Sequence, residues 1–176
     1  IISKEAKETQ GTLVSLGGGN VEPFVGSIRH GFQLGEETWM RWYGKFRLHQ
    51  GTELSDGQSA GDQSIFGQTG FRTDWRSSDT VRWTLQGDGY IGHYDQTQFF
   101  PELTPPFISS FEDTSKPYGA NLLGRWTKQL DADSEISLQT WLDYIHREAS
   151  YFKNDQIAGD IDLNYRRRFG ERHDVS

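Results

Sequence analysis

The sequence predicts an all-β chain: an antiparallel, up-and-down sheet of the transmembrane-barrel kind, about eight strands with short turns at one end and long loops at the other. Three observations predict it. Side chains alternate apolar and polar with period two almost from end to end, the alternating runs reach about ten residues, and short connections alternate with long ones. Strands of a soluble sandwich are typically ~5 to 6 residues, without a systematic asymmetry between their two ends. A tilted strand needs ~9 to 11 residues to cross a bilayer, and turns at one end with loops at the other are the pattern of membrane barrels.

The first expected strand, Thr12 to Gly18, is glycine-rich. The second, Phe24 to Leu34, sets Phe24, Gly26, Ile28, Phe32 and Leu34 against Ser27, Arg29 and Gln33. In the third, "TWMRWYGKFRLHQ", Met40, Trp42, Gly44, Phe46 and Leu48 alternate with Arg41, Tyr43, Lys45, Arg47 and His49. A helix would mix these classes on one stripe, whereas a strand separates them. The fourth and fifth run from Ile65 to Trp75 and from Val81 to Ile91. The sixth and seventh form the hairpin "GANLLGRWTKQLDADSEISLQTWLDYIHRE", with Leu122, Trp126, Ile136, Leu138 and Leu142 on one face and Arg125, Gln139 and Asp143 on the other. The eighth is "DIDLNYRRRF", and a ninth starts at Val175 after "GERHD".

The joins "GEE", "RSSD", "DADS" and "GERHD" read as tight polar turns. Long loops are expected at Gln50 to Ser64, His93 to Pro117 and Glu148 to Ala158. Composition agrees: 34% hydrophobic residues is little for a packed globule, yet 14% are aromatic and 20 are glycine, which suits strands apolar at every second position.

The net charge of −7 argues against a nucleic-acid partner, which needs a basic face. The absence of cysteine excludes disulfides and thiolate metal sites. His30, His49, His93, His146 and His173 form no HExxH or HxH spacing, and no nucleophile elbow, Walker loop or dinucleotide fingerprint is present. The sequence is therefore read as a non-enzyme without metal or cofactor. Ile1 is not an initiator methionine, so the chain is expected to begin inside something larger.

The opening "IISKEAKETQGTLVSLGGG" resembles the junction between plug and barrel in TonB-dependent outer-membrane receptors, where a last plug strand passes through a short polar link, here Thr9, Gln10 and Gly11, into the first barrel strand. "YGKF", "GQTGFRTDW" and the 119–148 hairpin look like early barrel hairpins of that family. The resemblance implies that residues 1–10 are the remnant of the plug-to-barrel junction and residues 11–176 a barrel portion, strands one to eight and the start of a ninth out of about 22. It further implies a Gram-negative outer membrane, lipid, the plug domain and the remaining strands as partners, and contact with TonB only through absent segments. The parent would import a scarce nutrient as a small molecule or metal chelate: an iron-siderophore first, or a cobalamin or oligosaccharide.

The expected loops carry candidate ligand-binding aromatics: Tyr94, Phe99, Phe100, Phe107 and Phe111 in one, Tyr151 and Phe152 in the next. Two other readings remain open on sequence: a soluble carbohydrate-binding β-sandwich or barrel, and a small self-closed membrane barrel with a structural or adhesion role.

Overall fold

The computed structural model describes residues 3–169 and 173–175, with only the backbone described for Phe169, His173 and Asp174. Ile1, Ile2 and residues 170–172 of the expected last turn lie outside the described residues. Ten strands follow a short 3-10 turn at Ala6–Thr9: β1 (Gly11–Gly17), β2 (Phe24–Gly35), β3 (Thr38–His49), β4 (Ser64–Ser78), β5 (Val81–Pro101), β6 (Ile108–Ser115), β7 (Tyr118–Gln129), β8 (Ser134–Ala149), β9 (Phe152–Phe169) and β10 (His173–Val175). All neighbours are antiparallel in the order β1-β2-β3-β4-β5-β7-β8-β9-β10, with β6 on the far half of β5. The sheet is open, since β1 and β10 each have a single neighbour. Among the described residues no helix is long and apolar enough to cross a membrane.

Two of the three expected long loops are strands. The ladder partners Tyr94↔Ser115 and Ile91↔Tyr118 keep one register, so β6 and β7 are a single strand interrupted at Lys116 and Pro117. Pro117 has no N–H to give, which breaks the ladder there. Its carbonyl still accepts from the Gly92 N–H at 2.8 Å. The segment read as a loop from His93 is thus a hairpin turning at residues 102–107, where Pro105 and Pro106 cluster. Prolines suggested a loop throughout, but they sit at the strand ends and the break. Likewise β8 and β9 meet at a two-residue turn, Ser150 and Tyr151, with Ala149↔Phe152 the last ladder pair. Only residues 50–63 remain an irregular connection, apart from the bridge Glu53↔Ser59; Gly57 and Gly61 there adopt positive φ. At 21 residues β5 is about 70 Å long, more than twice the hydrocarbon thickness of a bilayer.

The three expected tight turns within the described residues, after β2, β4 and β7, are present, and β-bulges flank two of them, at Gln33/Gly35 and Arg76/Ser78. The register divides the sheet into two faces. On one, a rung reads Phe32, Met40, Thr73, Leu85, Gly124, Thr140, Ile161, and the next Trp42, Phe71, Gly87, Leu122, Leu142, Gly159 after His30. The opposite face carries Arg41, Arg72 and Gln86 on a single rung. The apolar face is uncovered: Leu122 is 47% exposed, Leu142 56% and Ile161 76%. The only buried apolar residues among those described are Ala6 and Ala149, and no large side chain is fully buried.

Candidate ligand-binding face

The polar face already holds one ligand of a kind, the chain's own beginning. Arg41 and Arg72 are direct cross-strand partners, an arrangement that repels unless other groups take up the two guanidiniums. Asp74 accepts both arms of Arg72, from Nε at 2.7 Å and Nη2 at 2.9 Å, and also the Thr84 hydroxyl at 2.6 Å. Its remaining capacity goes to the Ala6 N–H at 2.6 Å. Arg41 donates to the Lys4 carbonyl at 2.9 Å and to the Ser3 hydroxyl, while Arg72 reaches the Ser3 carbonyl at 3.2 Å. Residues 3–10 are therefore strapped onto β3 and β4 by charge-assisted bonds. Lys7 adds a contact 4.5 Å above the Trp39 ring.

Gly31 on β2 lets this strap lie flat, because a Cβ there would overlap the Thr9 carbonyl. Gly11, at φ 81°, then turns the chain from the strap into β1, a backbone conformation that favours glycine. The sequence reading of Thr9, Gln10 and Gly11 as a link thus falls on a tether bound to the polar face.

The loop aromatics divide. Phe100 stacks on Phe111 with ring centroids 5.3 Å apart and meets Tyr151 edge-on at 6.0 Å, and Tyr151 packs on Phe152 at 5.1 Å. These four form one cluster joining the β5–β6 and β8–β9 hairpins. Phe99 and Phe107 do not join it. Phe99 alternates to the opposite face from Phe100, and Phe107 sits at the turn with φ 63°; both are largely exposed. Tyr94 lies further down, folded over Gly92.

Beneath the cluster is Asp113, a residue the sequence reading missed. Only 5% exposed, it accepts the Ser150 hydroxyl at 2.6 Å, the Ser150 N–H at 3.1 Å and the Thr114 N–H at 2.9 Å, clasping one hairpin to the other. Those donations, the Ser150 hydroxyl foremost, hold its carboxyl below the usual carboxylate range. Strand alternation through "ISSFEDTS" was the available signal, hidden by the neighbouring prolines. Asp62, through the Thr52 N–H and hydroxyl, and Asp95, through Gln63 and Thr114, are lowered in the same way. Together with Glu112 and Asp113 they line an acidic hollow of about 270 Å³ between residues 50–63 and the β5–β6 hairpin.

No group of three or more His, Asp or Glu side chains is placed to hold a metal ion among the described residues. His93 and Asp95 stand 3.3 Å apart on β5. Comparison of the chain with protein-family models, with curated proteins and with solved structures finds no match in any of the three.

Proposed function

We propose that the chain is the first part of the barrel wall of an outer-membrane receptor of the TonB-dependent kind, whose parent takes up a scarce small molecule or metal chelate. One observation carries the reading: every long strand bears an uncharged, exposed stretch of bilayer-crossing length on the same face. On the apolar face alone, the alternate positions from Thr38 to Leu48 on β3 and from Ile65 to Trp75 on β4 contain no Asp, Glu, Lys or Arg. The same holds from Trp83 to Ile91, Tyr118 to Trp126, Ile136 to Tyr144 and Ile157 to Tyr165. Charge returns just beyond, at Lys128, Arg167 and Asp155. A run of ~9 to 11 residues is what a tilted strand needs to cross hydrocarbon.

Hydrocarbon is the one solvent in which such a face needs no protein partner. The ladder satisfies the backbone groups within the sheet, leaving the β1 and β10 edges for further strands of a larger barrel. The strap on the polar face supports the same reading, since a plug inside a barrel would deliver its connecting segment to that side. The hairpins beyond the band carry Phe100, Phe111, Tyr151 and Phe152, an aromatic surface for capturing a ligand before import.

Tryptophan position supplies the test. Trp83 and Trp126 are on the apolar face in a row with Trp75, Trp83 stacked on Trp75 and tilted against Trp126, while Trp39 and Trp141 alternate to the polar face. After refolding into vesicles containing brominated lipid, a variant keeping only Trp83 is expected to lose most of its fluorescence, and one keeping only Trp141 little. Equal quenching of the two, or a monomeric chain unfolding cooperatively in plain buffer, would overturn the proposal.

A further inference from the structure

A second hollow, of about 450 Å³, opens on the polar face of β1 to β5, below the hairpins. Two rungs build it. Ser27, Lys45 and Gln68 occupy one, Val25, Arg47 and Phe66 the next, and Tyr94 closes the β5 side. Phe66 is stacked with Tyr90 at 6.0 Å, so the floor is backed by aromatic rings.

Its charge is one-sided. Lys45 and Arg47 stand two residues apart on one strand face, which separates their stems by about 7 Å. No Asp or Glu lines the hollow. Lys45 has no carboxylate partner among the described residues, and its ammonium sits 5.2 Å from the Tyr43 ring. Arg47 has only a loose pair with Glu22 at 3.9 Å, both about half exposed. Asp88, which lies on this face of β5, is engaged by the Gln68 amide at 3.1 Å. The acidic hollow near Asp62 and Asp113 has the opposite sign and no basic residue in its lining.

We propose that this hollow is a binding subsite for a small aromatic carboxylate. Its ring would lie against Phe66 and Tyr94, its carboxylate would bridge Lys45 and Arg47, and the Ser15 and Ser27 hydroxyls with the Gln68 amide would take the remaining polar edge. The volume falls within the range of small-molecule sites, and the pairing of apolar walls with a few convergent polar groups is the composition such sites share. Two cations on one carboxylate give charge-assisted bonds that a neutral ligand cannot form. The subsite needs only that the polar face meet water, so it stands or falls separately from the transport reading.

The test uses the refolded chain in nanodiscs, with 2-naphthoate and its neutral analogue 2-naphthalenemethanol as probes in equilibrium dialysis. Naphthoate is expected to bind at least about tenfold more tightly than the alcohol, the gap narrowing with added salt. In K45Q/R47Q that preference should vanish while the weak alcohol binding remains, and Phe66→Ala should weaken both probes. Arg82→Gln, an exposed cation outside the hollow, should change neither. The proposal is overturned if naphthoate binds no better than the alcohol, if K45Q/R47Q retains the preference, or if neither probe binds at millimolar concentration. Unchanged circular dichroism and gel mobility on heating show that each variant has refolded.

Discussion

Asn121 and Leu122 are neighbours on β7, and their surroundings have nothing in common. Asn121 faces the side where Arg72, Asp74 and Thr84 interlock and where Arg125 donates to Gln139 at 2.9 Å. Leu122 faces a surface on which leucine, isoleucine and tryptophan stand uncovered along every strand. In a water-soluble domain the apolar side would be the closed one, and its burial would supply the dominant stabilising free energy. Here the side chains interlock on the polar side, and the apolar side has no partner among the described residues. The difference teaches that what the chain builds for itself is the ladder and the polar network, and that the burial of apolar surface is left out of it.

The sharpest way to break that comparison is to put the same charge on both sides. In vesicles, Leu122→Arg is expected to lower unfolding stability by about 2 to 4 kcal/mol, the cost of arginine near a bilayer midplane in barrel proteins. Asn121→Arg, one residue away on the polar face, should stay within roughly 0.5 kcal/mol of the parent. Denaturant titrations of both variants in the same lipid decide it. Equal losses would mean that the two faces do not see different solvents.

A smaller effect is expected where the polar face holds the strap. Arg41→Met removes the donors to the Lys4 carbonyl and the Ser3 hydroxyl and leaves only the Arg72 bond to the Ser3 carbonyl, a loss of about 1 to 3 kcal/mol for charge-assisted bonds in a partly buried site. Gly31→Ala attacks the same contact through shape, by pushing a methyl group into the Thr9 carbonyl. Both variants should expose Lys4 and Lys7 to trypsin while the strands stay protected. Unchanged cleavage would show that the strap is held by something other than these bonds.

Most of the sheet was legible because period-two alternation is a local signal: Met40 to Leu48 or Leu138 to Leu142 needs no knowledge of distant residues. Both faces of β2, β3 and β4 followed from parity alone. The β5–β6 hairpin did not, because Pro101, Pro105, Pro106 and Pro117 weigh heavily toward loop, and a strand ending in proline looks the same as a loop rich in it. Among the candidate site residues, aromatic composition indicated the segments that carry the ring cluster but could not say that Phe99 and Phe100 part company. That depends on continuing strand geometry through the misread stretch. A second reason hid the Arg41–Arg72 pair and added to the prolines at Asp113: their partners, Ser3 and Ser150, are far away in sequence and are set only by tether and register.

The hairpin clasp offers the mildest test of the comparison, since it lies beyond the apolar band. Asp113 is held below its ordinary value of about 3.9, so the clasp is at full strength above that pH and is lost as pH falls through the lower, folded value. Between neutral pH and about 5 nothing should change. Below about 4, exchange at the Ser150 amide and at Lys116, whose N–H donates to the Glu148 carbonyl at 3.3 Å, should quicken several-fold, while β3 and β4 keep their protection. Asp113→Ala should show the same faster exchange already at neutral pH, because it removes the one oxygen, Oδ1, that accepts from the Ser150 hydroxyl and from the Ser150 and Thr114 N–H groups. A variant with unaltered exchange would mean that the Phe100–Tyr151 ring contact alone joins the hairpins, and that the acid beneath them is a bystander.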